Sequence, residues 1–209
     1  MVVIRLNSTI EKDLKFDLDY LKILEQDDDC LLVQLDLLHL GENRNMCDIS
    51  EEAVSISLPT FYNKPIIYRL NNTWIPEYSS DVDEHARNEE QEMQVCIAGT
   101  IPESSTVEYV TRNGKTYLRM VGVIHKKYQP ILTKILKKRN GNMKVSIEIK
   151  ALGEVNEKGF LVIERFIFQS VCLLGADVEE GIEGSELEVI AFSAKDYNAH
   201  YLNFSRKMA

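Results

Sequence analysis

From Met143 to Ala151 the chain alternates apolar Met143, Val145, Ile147, Ile149 and Ala151 with Lys144, Ser146, Glu148 and Lys150. That is the period of a strand with one face in a core and the other open to solvent or a cleft. A hydroxyl and a carboxylate, Ser146 and Glu148, therefore share the open face. A serine on the polar face of a strand is ordinarily a solvated serine, so the pattern acquires chemistry only from what surrounds it. The long polar segment from Asn71 to Glu92 holds Trp74 and His85, with seven carboxylates against a single Arg87. Loops of that length are often functional, although His85 by itself reads as a solvated loop histidine.

Other chemistries find little support. Cys30, Cys47, Cys96 and Cys172 are scattered without a Cys-x-x-Cys pair, and His39, His85, His125 and His200 lie too far apart for a local metal signature. The cysteines read as reduced, packed thiols of a cytosolic protein, and neither a metal nor a cofactor is expected. The net charge of −9 and pI near 5.0 argue against nucleic acid as the principal partner, which would show as a basic patch. The start, Met-Val-Val-Ile-Arg-Leu-Asn, lacks the pattern of a signal peptide, and no apolar run approaches membrane-spanning length. These features predict a soluble intracellular protein with no membrane partner.

The elements that would position Ser146 can be read from period and punctuation. Val2 to Leu6 suits a strand; over Leu14 to Leu24, Leu14, Phe16, Leu18 and Tyr20 alternate as in a strand while Leu18, Leu21 and Leu24 suit a helix face, and the helix is preferred. Leu31 to Leu40 is apolar enough for a central strand, broken by Gly41-Glu-Asn-Arg-Asn45. Ser50 followed by Glu51 and Glu52 starts a helix that Pro59 stops. Pro65 to Leu70 reads as a strand opening on its proline. Further strands are predicted at Met93 to Gly99, Thr106 to Val110 and Lys115 to Ile124, the last two joined by an Arg112-Asn-Gly114 hairpin. Tyr128, Ile131, Leu132, Ile135 and Leu136 then fall at helical spacing, with Pro130 in the first turn, Lys137, Lys138 and Arg139 in the last, and Asn140-Gly141 as the stop. That helix delivers the chain into the Ser146 strand. Asn156 to Gly159 turns it, Phe160 to Leu174 gives one long or two short strands, and Leu187 to Phe192 the last. The organisation expected is an appendage over 1–30, one mixed domain over 31–192, and a tail over 193–209.

Taken in order, Gly41-Glu-Asn-Arg-Asn45, the helix after Ser50, Leu58-Pro-Thr-Phe-Tyr-Asn-Lys-Pro-Ile-Ile67, a histidine in the next polar loop, Ala98-Gly-Thr-Ile-Pro102, the Lys126 helix, Lys144-Val-Ser-Ile-Glu-Ile149 and Phe166-Ile-Phe-Gln-Ser-Val-Cys-Leu-Leu-Gly175 resemble the prohead (capsid maturation) proteases of tailed phages. These are serine peptidases similar in fold to herpesvirus assemblin. The likeness spans roughly residues 30 to 192 and lies in order and spacing. It implies an α+β fold, a closed and mainly antiparallel β-barrel flanked by helices. It also implies Ser146 as nucleophile and His85 as general base. A third group must fix the imidazole tautomer. Glu148 is preferred because two residues along a strand share a face, with Glu164 on the next strand as the alternative and Asp83 behind it. Two stretches differ from the family pattern: no glycine precedes His85 in Asp-Val-Asp-Glu-His-Ala-Arg, and Gln169-Ser170-Val171-Cys172 departs from the small-residue pattern usual there.

The resemblance thus implies a phage serine endopeptidase acting in the procapsid, within the host cytoplasm, on scaffold and major capsid protein and on itself. By analogy it works as a homodimer. The alternative is a catalytically inactive scaffold or capsid-assembly protein of the same fold.

Overall fold

The computed structural model describes residues 29–191. The strand and helix expected over 2–6 and 14–24, and the tail over 193–209, lie outside the described residues. Within them run ten strands: β1 (Leu31–His39), β2 (Gly41–Glu42), β3 (Cys47–Ile49), β4 (Lys64–Tyr68), β5 (Cys96–Ile101), β6 (Val107–Arg112), β7 (Lys115–Ile124), β8 (Asn142–Val155), β9 (Leu161–Leu174) and β10 (Glu186–Ala191). Three short α-helices interrupt them: α1 (Glu51–Ser57), α2 (Glu89–Glu92) and α3 (Pro130–Lys138).

Neighbours follow the order β9, β4, β5, β7, β1, β10, β8, and β8 pairs back onto β9. The ring is a closed seven-stranded mixed barrel with few helices, the α+β barrel that the resemblance implied. Every contact around it is antiparallel except β4 with β9. Closure leaves no exposed edge in the ring, while β6 pairs beside β7 and β2 and β3 extend from the far part of β9. β1 is buried along nearly its whole length, as its weak alternation requires. Leu35, Leu118, Met120, Val145, Val171 and Leu173 are among the side chains that fill the interior.

Local chemistry explains the remaining geometry. Ser50 caps α1 by accepting the Ala53 amide at 3.1 Å, and a 3-10 turn over Leu58–Thr60 carries Pro59. The turn then seats Phe61, fully buried, 4.3 Å from the Phe168 ring and edge-on to Phe166 at 5.7 Å. Between its pairings with β3 and β4, one side of β9 has amides without a strand partner. The Ser57 and Thr60 hydroxyls accept those of Phe166 and Phe168 at 2.8 and 2.9 Å, which removes the cost of burying them. Asn113 and Gly114 take the positive φ values of 51° and 76° that a two-residue hairpin needs. Asn140 and Gly141 (φ 54° and 82°) end α3, which buries Leu132, Ile135 and Leu136.

Several strand boundaries differ from the sequence reading, the starts of β5 and β4 among them. β5 begins at Cys96 rather than at Met93, because Asn88 caps α2 through the Gln91 amide and draws Met93 into its C-terminal end. Pro65 is the second residue of β4, after Lys64.

Candidate active site

β8 turns Val145 into the barrel interior, so Ser146 and Glu148 point outward. Antiparallel register places Cys172 opposite Ser146 and Ser170 opposite Glu148, and directly opposed residues share a face. Four polar groups from two strands are thereby gathered on one outer patch. β4 adds to it, since Ile67 pairs with Cys172 in parallel register and Arg69 follows two residues later.

The segment 81–85 lies over this patch and brings His85 to it. His85 Nδ1 donates to Glu148 Oε1 at 2.8 Å, and the Ser170 hydroxyl donates to Glu148 Oε2. Both carboxylate oxygens are thus engaged. The His85 hydrogen bond, joined by that of Ser170 and opposed by burial, holds the Glu148 carboxyl below its ordinary range. With Nδ1 committed to the carboxylate, the lone pair of a neutral ring is left on Nε2, the tautomer of a general base. Ser146 is buried to 8 % exposure, and its hydroxyl makes no hydrogen bond to His85. The structure therefore brings His85 and Glu148 together and sets Ser146 beside them, with the link from Ser146 to His85 still open.

The other candidates fall elsewhere. Glu164 is exposed at the bulge between Arg165 and Ile163, six residues along β9 from Ser170, roughly 20 Å at the usual rise. Asp83 is taken up by Arg69, with Nη2 to Oδ2 at 2.8 Å. The Cys172 thiol, although it faces Ser146, is pushed up to about 12, first by burial and then by Glu148. It is a poor thiolate nucleophile on that account. Among the described residues no disulfide joins the cysteines, no three or more of His, Cys, Asp and Glu cluster as a metal site, and no helix is long and apolar enough to cross a membrane.

What holds His85 is a pair of Asp–Arg clamps at alternate positions. Residues 81–83 run antiparallel to 69–71, with Asn71 N to Asp81 O at 3.1 Å, Asp83 N to Arg69 O at 2.7 Å and a bridge between Leu70 and Val82. Val82 is buried, so Asp81 and Asp83 face the other way. Asp83 meets Arg69, while Asp81 meets Arg139 and also accepts the Ala176 amide at 3.0 Å. Arg139 donates in addition to the Leu174 carbonyl at 3.2 Å, so it ties the loop to the end of β9 as well as complementing the dipole of α3. Gly175 is required where its amide meets Asp83 O, because a Cβ there would sit 2.6 Å from the Val82 carbonyl oxygen. Asp81→Asn is expected to cost about 1–2 kcal/mol by leaving Arg139 with a neutral partner. Faster amide exchange over 82–85 and a lowered melting temperature would record it.

Arg69, Arg139 and Ser170 are site residues that motif spacing did not reveal. Only Ser170 had a signal, its period-two pairing with Cys172 on one face of the strand.

No curated protein and no solved structure matches the chain. The model of a family described as the YonD N-terminal domain matches residues 29–209, which includes all the elements described above. YonD is encoded in a Bacillus phage region. The chain belongs to the YonD N-terminal domain family and is a phage-related protein.

Proposed function

We propose that this chain is a serine endopeptidase of the phage prohead, cleaving scaffold and major capsid protein, and itself, during capsid maturation. The observation that carries the reading is the Glu148–His85 hydrogen bond made on the face of β8 that also presents Ser146. A carboxylate, an imidazole and a hydroxyl in that order are the parts of a charge-stabilised nucleophile.

In this reading substrate binding draws His85 Nε2 onto Ser146 Oγ, since catalytic hydrogen bonds commonly tighten only in the complex. Ser146 Oγ then attacks the peptide carbonyl as its proton passes to His85. Glu148 stabilises the imidazolium, and His85 returns the proton to the leaving amine. Water hydrolyses the acyl-enzyme through the same base. A backbone amide pair would receive the oxyanion. The setting is the procapsid interior in the host cytoplasm, and the protease works there as a homodimer. The chain's acidity suits a protein-filled shell before DNA enters.

A second reading is favoured by the open Ser146–His85 link: the same fold kept as an inactive scaffold or assembly module. Intact-mass analysis of the purified chain mixed with the scaffold and capsid proteins of its own phage decides between them. Discrete fragments accumulating with time are expected of the peptidase. Unchanged masses in an assembled mixture would favour the module.

A further inference from the structure

We infer that Ser170 is a positioning residue for this site, locking the Glu148 carboxylate in the orientation that holds His85. The inference rests on the serine-peptidase reading for its catalytic meaning, but its geometry stands independently. Ser170 lies directly opposite Glu148 across the β8–β9 ladder and is almost fully buried. Its hydroxyl donates to Oε2, which leaves Oε1 directed at His85 Nδ1.

A glutamate reaches its ring partner through three rotatable bonds, and a single hydrogen bond from His85 would leave the carboxylate free to swing. A second donor on the opposite oxygen, fixed to a buried strand position, removes that freedom before substrate arrives. β9 is itself held at this point. The Thr60 hydroxyl takes the Phe168 amide two residues away, and Gln169 is the extra residue of a bulge between Phe168 and Ser170. Bulges re-aim side chains, and here the side chain re-aimed is Ser170. The role is distinct from that of Ser146, whose hydroxyl bonds to no carboxylate among the described residues.

The titratable groups that interact with Glu148 are His85 from the loop and the Cys172 thiol from β9, with the Asp83–Arg69 pair acting on Cys172 from the same patch and Lys150 two residues along on β8. Removing the Ser170 donor withdraws a hydrogen bond that is stronger to the ionised carboxylate than to the neutral acid. Glu148 should then take up its proton at higher pH, and pairing with His85, present above that point, should be lost sooner as pH falls.

The experiment compares wild type, Ser170→Ala and Ser170→Thr as full chains. It follows the Glu148 side-chain carbon by NMR titration and the cleavage of capsid and scaffold proteins by mass. Ser170→Ala is expected to raise the Glu148 midpoint by about one pH unit and to lower kcat about tenfold with KM unchanged, as loss of one hydrogen bond to a charged group would. Ser170→Thr keeps the hydroxyl and is expected to restore both. An unmoved Glu148 midpoint in folded Ser170→Ala would overturn the inference, as would a loss of kcat that Ser170→Thr does not repair. Should wild type produce no fragments, the peptidase reading fails, and the Glu148 titration alone then decides whether Ser170 fixes the carboxylate.

Discussion

Replacing Ser146 by Ala is expected to abolish fragment formation, lowering the cleavage rate by about 10^4-fold or more, while the fold and its stability stay as they are. The two halves of that expectation have separate causes. A nucleophile has no substitute: without Oγ there is no acyl-enzyme, and only the binding and polarising parts of the site remain. Among the described residues the Ser146 hydroxyl makes no hydrogen bond, so its removal strands no partner there and opens less space than a methyl group. The stability change should fall within about 0.5 kcal/mol, the range of substitutions that break no specific feature. Time-resolved intact mass gives the rate and a urea titration gives the stability. A variant that cleaves at more than about a hundredth of the wild-type rate would remove Ser146 from its assigned role.

Phe61→Ala should do the opposite, destabilising the barrel by about 3–5 kcal/mol while leaving the chemistry of the remaining folded molecules close to intact. Phe61 is fully buried, stacked on Phe168 and edge-on to Phe166. Truncation loses the transfer energy of a ring and leaves a cavity between the α1 turn and β9 that a strand fixed in a closed barrel cannot collapse to fill. The same turn supplies the Thr60 hydroxyl that holds the Phe168 amide, so the cavity lies a short way along β9 from Ser170. The urea midpoint is expected to fall with an unchanged slope. A loss below about 1 kcal/mol would show that the Phe61 cluster is not the lock between helix and barrel.

Local physics makes much of this legible in the sequence. The alternation around Ser146 placed it and Glu148 on one face, and β8 presents them so. Ser50 with its two following glutamates marked α1, Asn113-Gly114 marked the hairpin, and Asn140-Gly141 ended α3, because each is a short-range steric or hydrogen-bonding requirement. What escaped is long-range. Arg69 with Asp83, Arg139 with Asp81, and Ser170 with Glu148 are contacts fixed by barrel closure and register, to which no neighbouring residue bears witness. Arg139 is instructive: the dipole of α3 accounts for a cation in its last turn, and that sufficient local explanation concealed the clamp on the His85 loop. Glu164 shows the reverse, a carboxylate on the right strand that register places far from the imidazole.

The central claim is that Ser146 is a nucleophile made reactive by His85. Reaction of the purified wild-type chain with a fluorophosphonate, followed by peptide mapping, tests it most directly, because the probe reports serine activation without any knowledge of the substrate. The expected result is one covalent adduct, on Ser146, formed in wild type and lost in His85→Ala. A wild-type Ser146 that stays unlabelled, or one labelled equally fast without His85, would contradict the account.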